Sequence, residues 1–174
     1  MDPVLVQVVR GLIALVFVMA CVHKVRAPRE FLETVRGYGL VPRTLAAWVA
    51  VPLLAGELAI ACGVLLPALQ AQATALAIVL LVIYAASISI NLARGRRYID
   101  CGCSGPAARQ PLSAWLVLRN LALAGAALAT FVPESPRALG ALDLFTIVAG
   151  VVGLYTLYAA ANLLLAYGPR TKAL

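Results

Sequence analysis

Cys101 and Cys103 stand two residues apart in the stretch RGRRYIDCGCSGP, which runs from Arg94 to Pro106 in a chain otherwise dominated by Leu, Ala and Val. Thiols at that spacing close a disulfide only through a small, strained ring, because the Cα separation of a bridge is close to the backbone's reach from i to i+2. Strained, exposed pairs are the readily reduced ones. Gly102 permits the tight turn such a ring needs. Arg94, Arg96, Arg97 and Arg109 flank the pair, and the next helix should begin near Pro111, so positive charge and a helix N-terminus both favour thiolate over thiol. Asp100 is placed to shuttle a proton or to orient an arginine. The chemistry this predicts is thiol-disulfide exchange, although a Cys-x-Cys also suits an inert turn or half of a metal site.

The remainder of the chain has to hold that loop. Hydrophobic residues make up 63% and charged residues 12%, which excludes an ordinary soluble domain and predicts an all-α integral membrane protein. The formal charge of +7 then reads as arginines at helix ends. No basic surface interleaved with aromatics points to nucleic acid. Apolar runs over about 4–22, 45–66, 71–92, 112–132 and 142–167 each approach or exceed the ~20 residues that cross a bilayer, giving five spans in one domain over 1–174. Charge precedes the apolar core of a signal peptide but here follows it, at Lys24 and Arg26, so the first run reads as a retained helix. Residues 29–38 are amphipathic and too short to span, and should form an interfacial helix. Lysines and arginines crowd the connections on one side, and only Arg137 falls on the other. The bias predicts the N-terminus outside, the C-terminus inside and a cysteine loop facing the cytoplasm.

Several polar residues inside the spans are candidates for the site or its support. Arg10, Ala14, Phe17 and Cys21 fall on one helical face, and His23 lies just beyond. Arg10 either turns into the bundle or snorkels outward. With helix centres set at equal depth, Arg10 comes level with Glu57, which predicts a buried Arg10–Glu57 pair; otherwise Glu57 is protonated and bonded to a neighbour. The same count puts Cys62 roughly 20 Å from Cys21. Tyr84, Ser87 and Asn91 form a polar stripe descending toward the loop. Arg119, with Asn120 beside it, reaches a lipid headgroup or holds an anionic ligand beneath the loop. Pro52, Gly56, Ala59 and Gly63 leave room for a neighbouring helix. Cys21, His23, Cys101 and Cys103 together would make either a thiol relay or a metal site.

The residues FLETVRGYGLVP from Phe31 to Pro42, PLLAGELAIACG from Pro52 to Gly63, and the stretch from Asn91 to Asn120 with its IDCGCSG and Arg119-Asn120 resemble the MauE branch of the MauE/DoxX redox-associated membrane proteins. The resemblance covers most of the first four spans, and the cysteine loop is its sharper part. It implies a DoxX-like four-helix bundle with a fifth, C-terminal transmembrane helix. It also implies a bacterial inner-membrane location and a thioredoxin-like redox partner. The implied client is an exported disulfide-rich protein, of which the methylamine dehydrogenase small subunit is the model.

The expected function is therefore a membrane thiol-disulfide oxidoreductase or electron relay. Cys101 and Cys103 would exchange, Cys21 would be a candidate resolving thiol, and Asp100, Arg97, Arg119, Asn120, Asn91 and His23 would tune the site. No metal is assigned, and a quinone is the candidate carrier within the bilayer. The alternative is a non-catalytic membrane subunit or a binder or transporter of a small thiol or quinone.

Overall fold

The computed structural model describes residues 1–99, 101, 110–133, 135 and 137–167, the side chains of 165–167 aside. Helix α1, Pro3–Arg26, begins on Asp2, whose carboxylate accepts the Val4 N–H at 2.8 Å, with Pro3 fixing the first turn. Helix α2, Pro28–Tyr38, opens on a second proline and closes at Gly39, whose φ of 60° is the left-handed cap that glycine adopts without strain. A 3-10 turn, Arg43–Leu45, leads into α3, Ala46–Gly63; α4 is Gln70–Ala93, α5 is Ala114–Ala129 and α6 is Ala141–Tyr167. A helix stands over each of the apolar runs and over the amphipathic segment.

Four of these helices, α1, α3 with its leading turn, α4 and α6, are long and apolar enough to cross a bilayer. The fourth expected span is shorter than predicted, because Ser113 is extended at φ −144° and the helix closes at Thr130. The chain is a helical, multi-pass membrane protein.

Its core joins Ile13 and Phe17 of α1, Ile60 and Ala61 of α3, Ala73, Ala77 and Leu81 of α4, and Leu123, Ala124 and Ala127 of α5. Gly63 of α3 admits Ala73 of α4, so the small-residue stripe does serve a close helix approach. Helix α6 rests chiefly on α1. A Cβ at Gly11 would stand 2.6 Å from Val151, and one at Gly150 would stand 3.1 Å from Val8. The outward faces of the bundle carry large apolar side chains, among them Trp48, Val51, Leu142, Phe145 and Leu164, as lipid contact requires.

The register between α1 and α3 differs from the expectation. Glu57 is fully buried, but its partner is Lys24, not Arg10. About 21 Å of helix separates Arg10 from Lys24, too far for one carboxylate to serve both. Equal helix centres were the wrong reference, because α1 runs four residues past its apolar stretch and brings its last turns level with the middle of α3. With Lys24 level with Glu57, Cys21 three residues before the one and Cys62 five residues after the other come to about the same depth. Ala14, Phe17 and Cys21 are buried, while Arg10 is half-buried.

Candidate functional site

The site is assembled where α4 ends and α5 begins. Beyond Ala93 the chain turns back, the Leu112 N–H donates to the Arg97 carbonyl at 3.0 Å, and the Cys101 N–H donates to the Gln110 carbonyl at 3.0 Å. Cys101 and Gln110 are therefore the two feet of the loop. Gln110 is buried and its amide donates to the Asn162 carbonyl of α6, which ties the loop to the last helix.

Cys101 lies against Ile88, Leu112 and Leu116, with Tyr38 and Ile99 packed alongside, and only 7% of its surface is exposed. The expectation of a thiol at the water boundary is corrected here. Ile99 and Leu112, flanking the loop, carry Cys101 down into the apolar joint between α4 and α5. Arg94 and Arg96 also differ from the expected ring around the thiols. Arg94 donates to the Gly39 carbonyl at 3.5 Å, and an Arg96 Nη1 lies 2.7 Å from where a Gly39 Cβ would be. Both cations thus sit at the C-terminus of α2, where unpaired carbonyls attract them. Arg97 is exposed. Asp100, Cys103 and Arg109 lie outside the described residues.

A cavity of about 140 Å³ opens beside Cys101, between α2, α3 and α4, with Lys24, Tyr38, Tyr84 and Ser87 in its wall. Lys24 was counted from the sequence only as a loop charge. It is in fact 5% exposed, bonded to Glu57 Oε1, and its ammonium lies 4.8 Å from the centre of the Phe31 ring and 5.4 Å from that of Tyr84. The Tyr84 hydroxyl donates to the same carboxylate oxygen at 2.7 Å. Among the described residues Glu57 Oε2 has no hydrogen-bond partner.

That carboxylate borders a second, larger cavity of about 210 Å³ bounded by α1, α4, α5 and α6. His23, Tyr84, Arg119, Asn120, Tyr158 and Asn162 contribute its polar wall. Arg119 turns into the bundle instead of out to a headgroup. It is 8% exposed, donates to Asn162 Oδ1 at 2.8 Å and lies over the Tyr158 ring at 5.5 Å. Asn120 donates to the Leu116 carbonyl at 2.7 Å. Asn91 is fully buried, donates to the Ser87 carbonyl at 3.1 Å, and leaves Oδ1 without a partner among the described residues.

Cys21 is buried and lines neither cavity. Among the described residues no three His, Cys, Asp or Glu side chains gather closely enough to hold a metal ion, so Cys21, His23 and Cys101 do not form the centre that their sequence positions allowed. Sequence reasoning missed Lys24, Gln110 and Asn162. The signal for Lys24 was its place three residues after Cys21 on the same helical face; the other two pair across helices far apart in the chain, where one sequence carries no signal.

The family model described as methylamine utilisation protein MauE matches residues 2–133. The chain is 41% identical to methylamine utilization protein MauE of Methylorubrum extorquens over 82% of its own length and 77% of that protein's. It is 40% identical to MauE of Paracoccus denitrificans over 74% and 69% of the two lengths, and 35% identical to that of Methylophilus methylotrophus over 98% and 90%. No solved structure matches. With the matched residues running from the start of α1 to the end of α5, across the smaller cavity and the cysteine loop, the chain belongs to the MauE family of methylamine utilisation proteins.

Proposed function

We propose that this protein is a membrane thiol-disulfide oxidoreductase or electron relay that works through Cys101 and Cys103. The observation that carries the reading is the setting of Cys101. Its backbone is stapled to Gln110, its side chain lines a cavity within the bundle, and the first turn of α5 packs against it. Exchange proceeds by attack of one thiolate on a partner's disulfide, forming a mixed disulfide that a second thiol resolves. Cys103 is the resolving thiol by proximity in sequence, with Asp100 and Arg97 serving proton traffic and thiolate character. Cys21, buried away from the cavity, is a weaker resolving candidate.

The bundle of α1, α3, α4 and α5 is the DoxX-like core of this reading, with α6 added, in a bacterial inner membrane. The charge bias directs the N-terminus outward and the loop toward the cytoplasm. A thioredoxin-like protein is the soluble redox partner and an exported disulfide-rich protein the client. Because loop and client then lie on opposite sides, the relay needs a carrier within the bilayer.

The test is to replace Cys101 or Cys103 singly by Ser and look for a covalent adduct. A reductant-sensitive adduct with a thioredoxin-like protein supports exchange. Normal client maturation in the double Ser variant overturns it. That second outcome would favour a non-catalytic subunit holding a small molecule, a reading supported by the larger cavity with Arg119 and Asn120 in its wall.

A further inference from the structure

We propose that the cavity beside Cys101 is a quinone site, in which Lys24 meets a carbonyl oxygen and Cys101 meets the ring. The chemistry rests on the thiol-exchange reading; the binding does not.

The wall of this cavity carries an ammonium, hydroxyls and a thiol, from Lys24, Thr34, Tyr38, Tyr84, Ser87 and Cys101. Among the described residues no carboxylate lines it, because Glu57 borders the neighbouring cavity instead. An occupant must therefore accept hydrogen bonds. Lys24 has three N–H groups and one carboxylate oxygen bonded to them, while its other near neighbours are the faces of Phe31 and Tyr84. A buried ammonium with a single oxygen partner is costly, and a ligand oxygen supplies a second. The remaining wall, including Phe31, Leu53 and Ile88, is apolar and suits a ring. Ile83 and Leu40 lie on its edge with 45% and 38% exposure, toward the lipid side of the bundle, so the occupant enters from the bilayer. Lys24 and Glu57 together carry no net charge, which removes the attraction that would select a fatty-acid carboxylate. A neutral, planar, lipid-soluble molecule with carbonyl acceptors is a quinone.

Placed there, the ring stands against the Cys101 thiol, and the reaction balances. The two S–H bonds of Cys101 and Cys103 break, one S–S bond forms, and the two electrons and two protons convert the quinone to the quinol. Lys24 donates a hydrogen bond to the carbonyl oxygen as negative charge develops on it. Glu57 and Tyr84 are positioning residues that hold the ammonium in place.

The full chain in lipid nanodiscs, with decylubiquinone as the probe and dodecanoate as the competitor, tests this. Saturable decylubiquinone binding is expected, weakened at least about tenfold by Lys24→Met and by Ser87→Phe, partly restored in Lys24→Arg, and unaffected by Cys62→Ser on the lipid face. Dodecanoate is expected not to compete. The dithiol form should reduce about one decylubiquinone per chain, and Cys101→Ser none. Absence of binding, wild-type binding in Ser87→Phe, or equal competition by dodecanoate overturns the site. Ser87→Phe leaves the Lys24–Glu57 pair untouched, so a folding failure of Lys24→Met does not remove the test. If mixed disulfides are trapped but no quinone binds, the site falls and exchange stands. If quinone binds with the stated dependence but no thiol reduces it, the redox step at this site falls and the binding site stands; if in addition no mixed disulfide is trapped, exchange falls as well.

Discussion

Lys24, Glu57 and Tyr84 meet on a single carboxylate oxygen inside an apolar bundle, and their energetics are those of a buried ion pair. Neither charge is cheap to bury, and each is tolerated because the other is present. Removing Glu57 alone leaves an ammonium with no counter-charge, so Glu57→Ala should destabilise the protein by about 3–5 kcal/mol. Replacing both at once, as Lys24→Met with Glu57→Leu, should recover most of that loss, because no uncompensated charge remains. Thermal unfolding in detergent checks the ordering, and a double variant no better than Glu57→Ala would contradict it. The acid was legible in the sequence as a buried group needing a partner. The partner was not, because Lys24 follows the apolar run and looks like one more loop cation until α1 is seen to continue through it to Arg26.

At the level of elements, packing is set by where backbones come close. Helix α6 is held to α1 through Gly11 and Gly150, each facing a valine of the other helix. A branched side chain at either position has nowhere to go, and Gly150→Ile should cost about 1–3 kcal/mol while leaving the α4 and α5 contact intact. Protease accessibility of the connection before α6, compared with that of the α3 to α4 turn, would report the difference. Apolar runs gave these elements nearly to their ends, since a bilayer demands about 20 residues regardless of sequence detail. Depth register was not available from the same signal. A span can slide along its neighbour by several turns without changing its composition, and only contacts such as Lys24 with Glu57 fix the slide. The loop divides the same way. The Cys-Gly-Cys spacing singled out the loop, but the burial of Cys101 depends on Ile99 and Leu112 folding over the α4 and α5 joint. Local charge count pointed to the arginines instead.

For the whole molecule, the described basic loops share an end with Cys101 and with α2, while Arg137 pairs with Asp143 at the other end. If that basic end faces the cytoplasm, a membrane-impermeant maleimide applied to intact spheroplasts should leave Cys101 and Cys103 unlabelled, and permeabilisation should expose them. Burial of Cys101 predicts slow labelling even then, rising sharply when the protein is unfolded. Labelling of the pair in sealed cells would reverse the proposed topology and put the loop on the outer side.

Asn162 gives the last helix a role that its otherwise greasy sequence conceals. Its main chain receives the Gln110 amide and its side chain receives the Arg119 guanidinium, so one residue grips the foot of the loop and the floor beneath it. In hydrocarbon no solvent molecule stands ready to replace those bonds. A protein shortened to residue 133 would retain its four central helices, yet Gln110 and Arg119 would each lose an acceptor and the loop would lose its anchor on that flank. The segment that lies beyond the matched family region thereby acts as a latch on the part that matches.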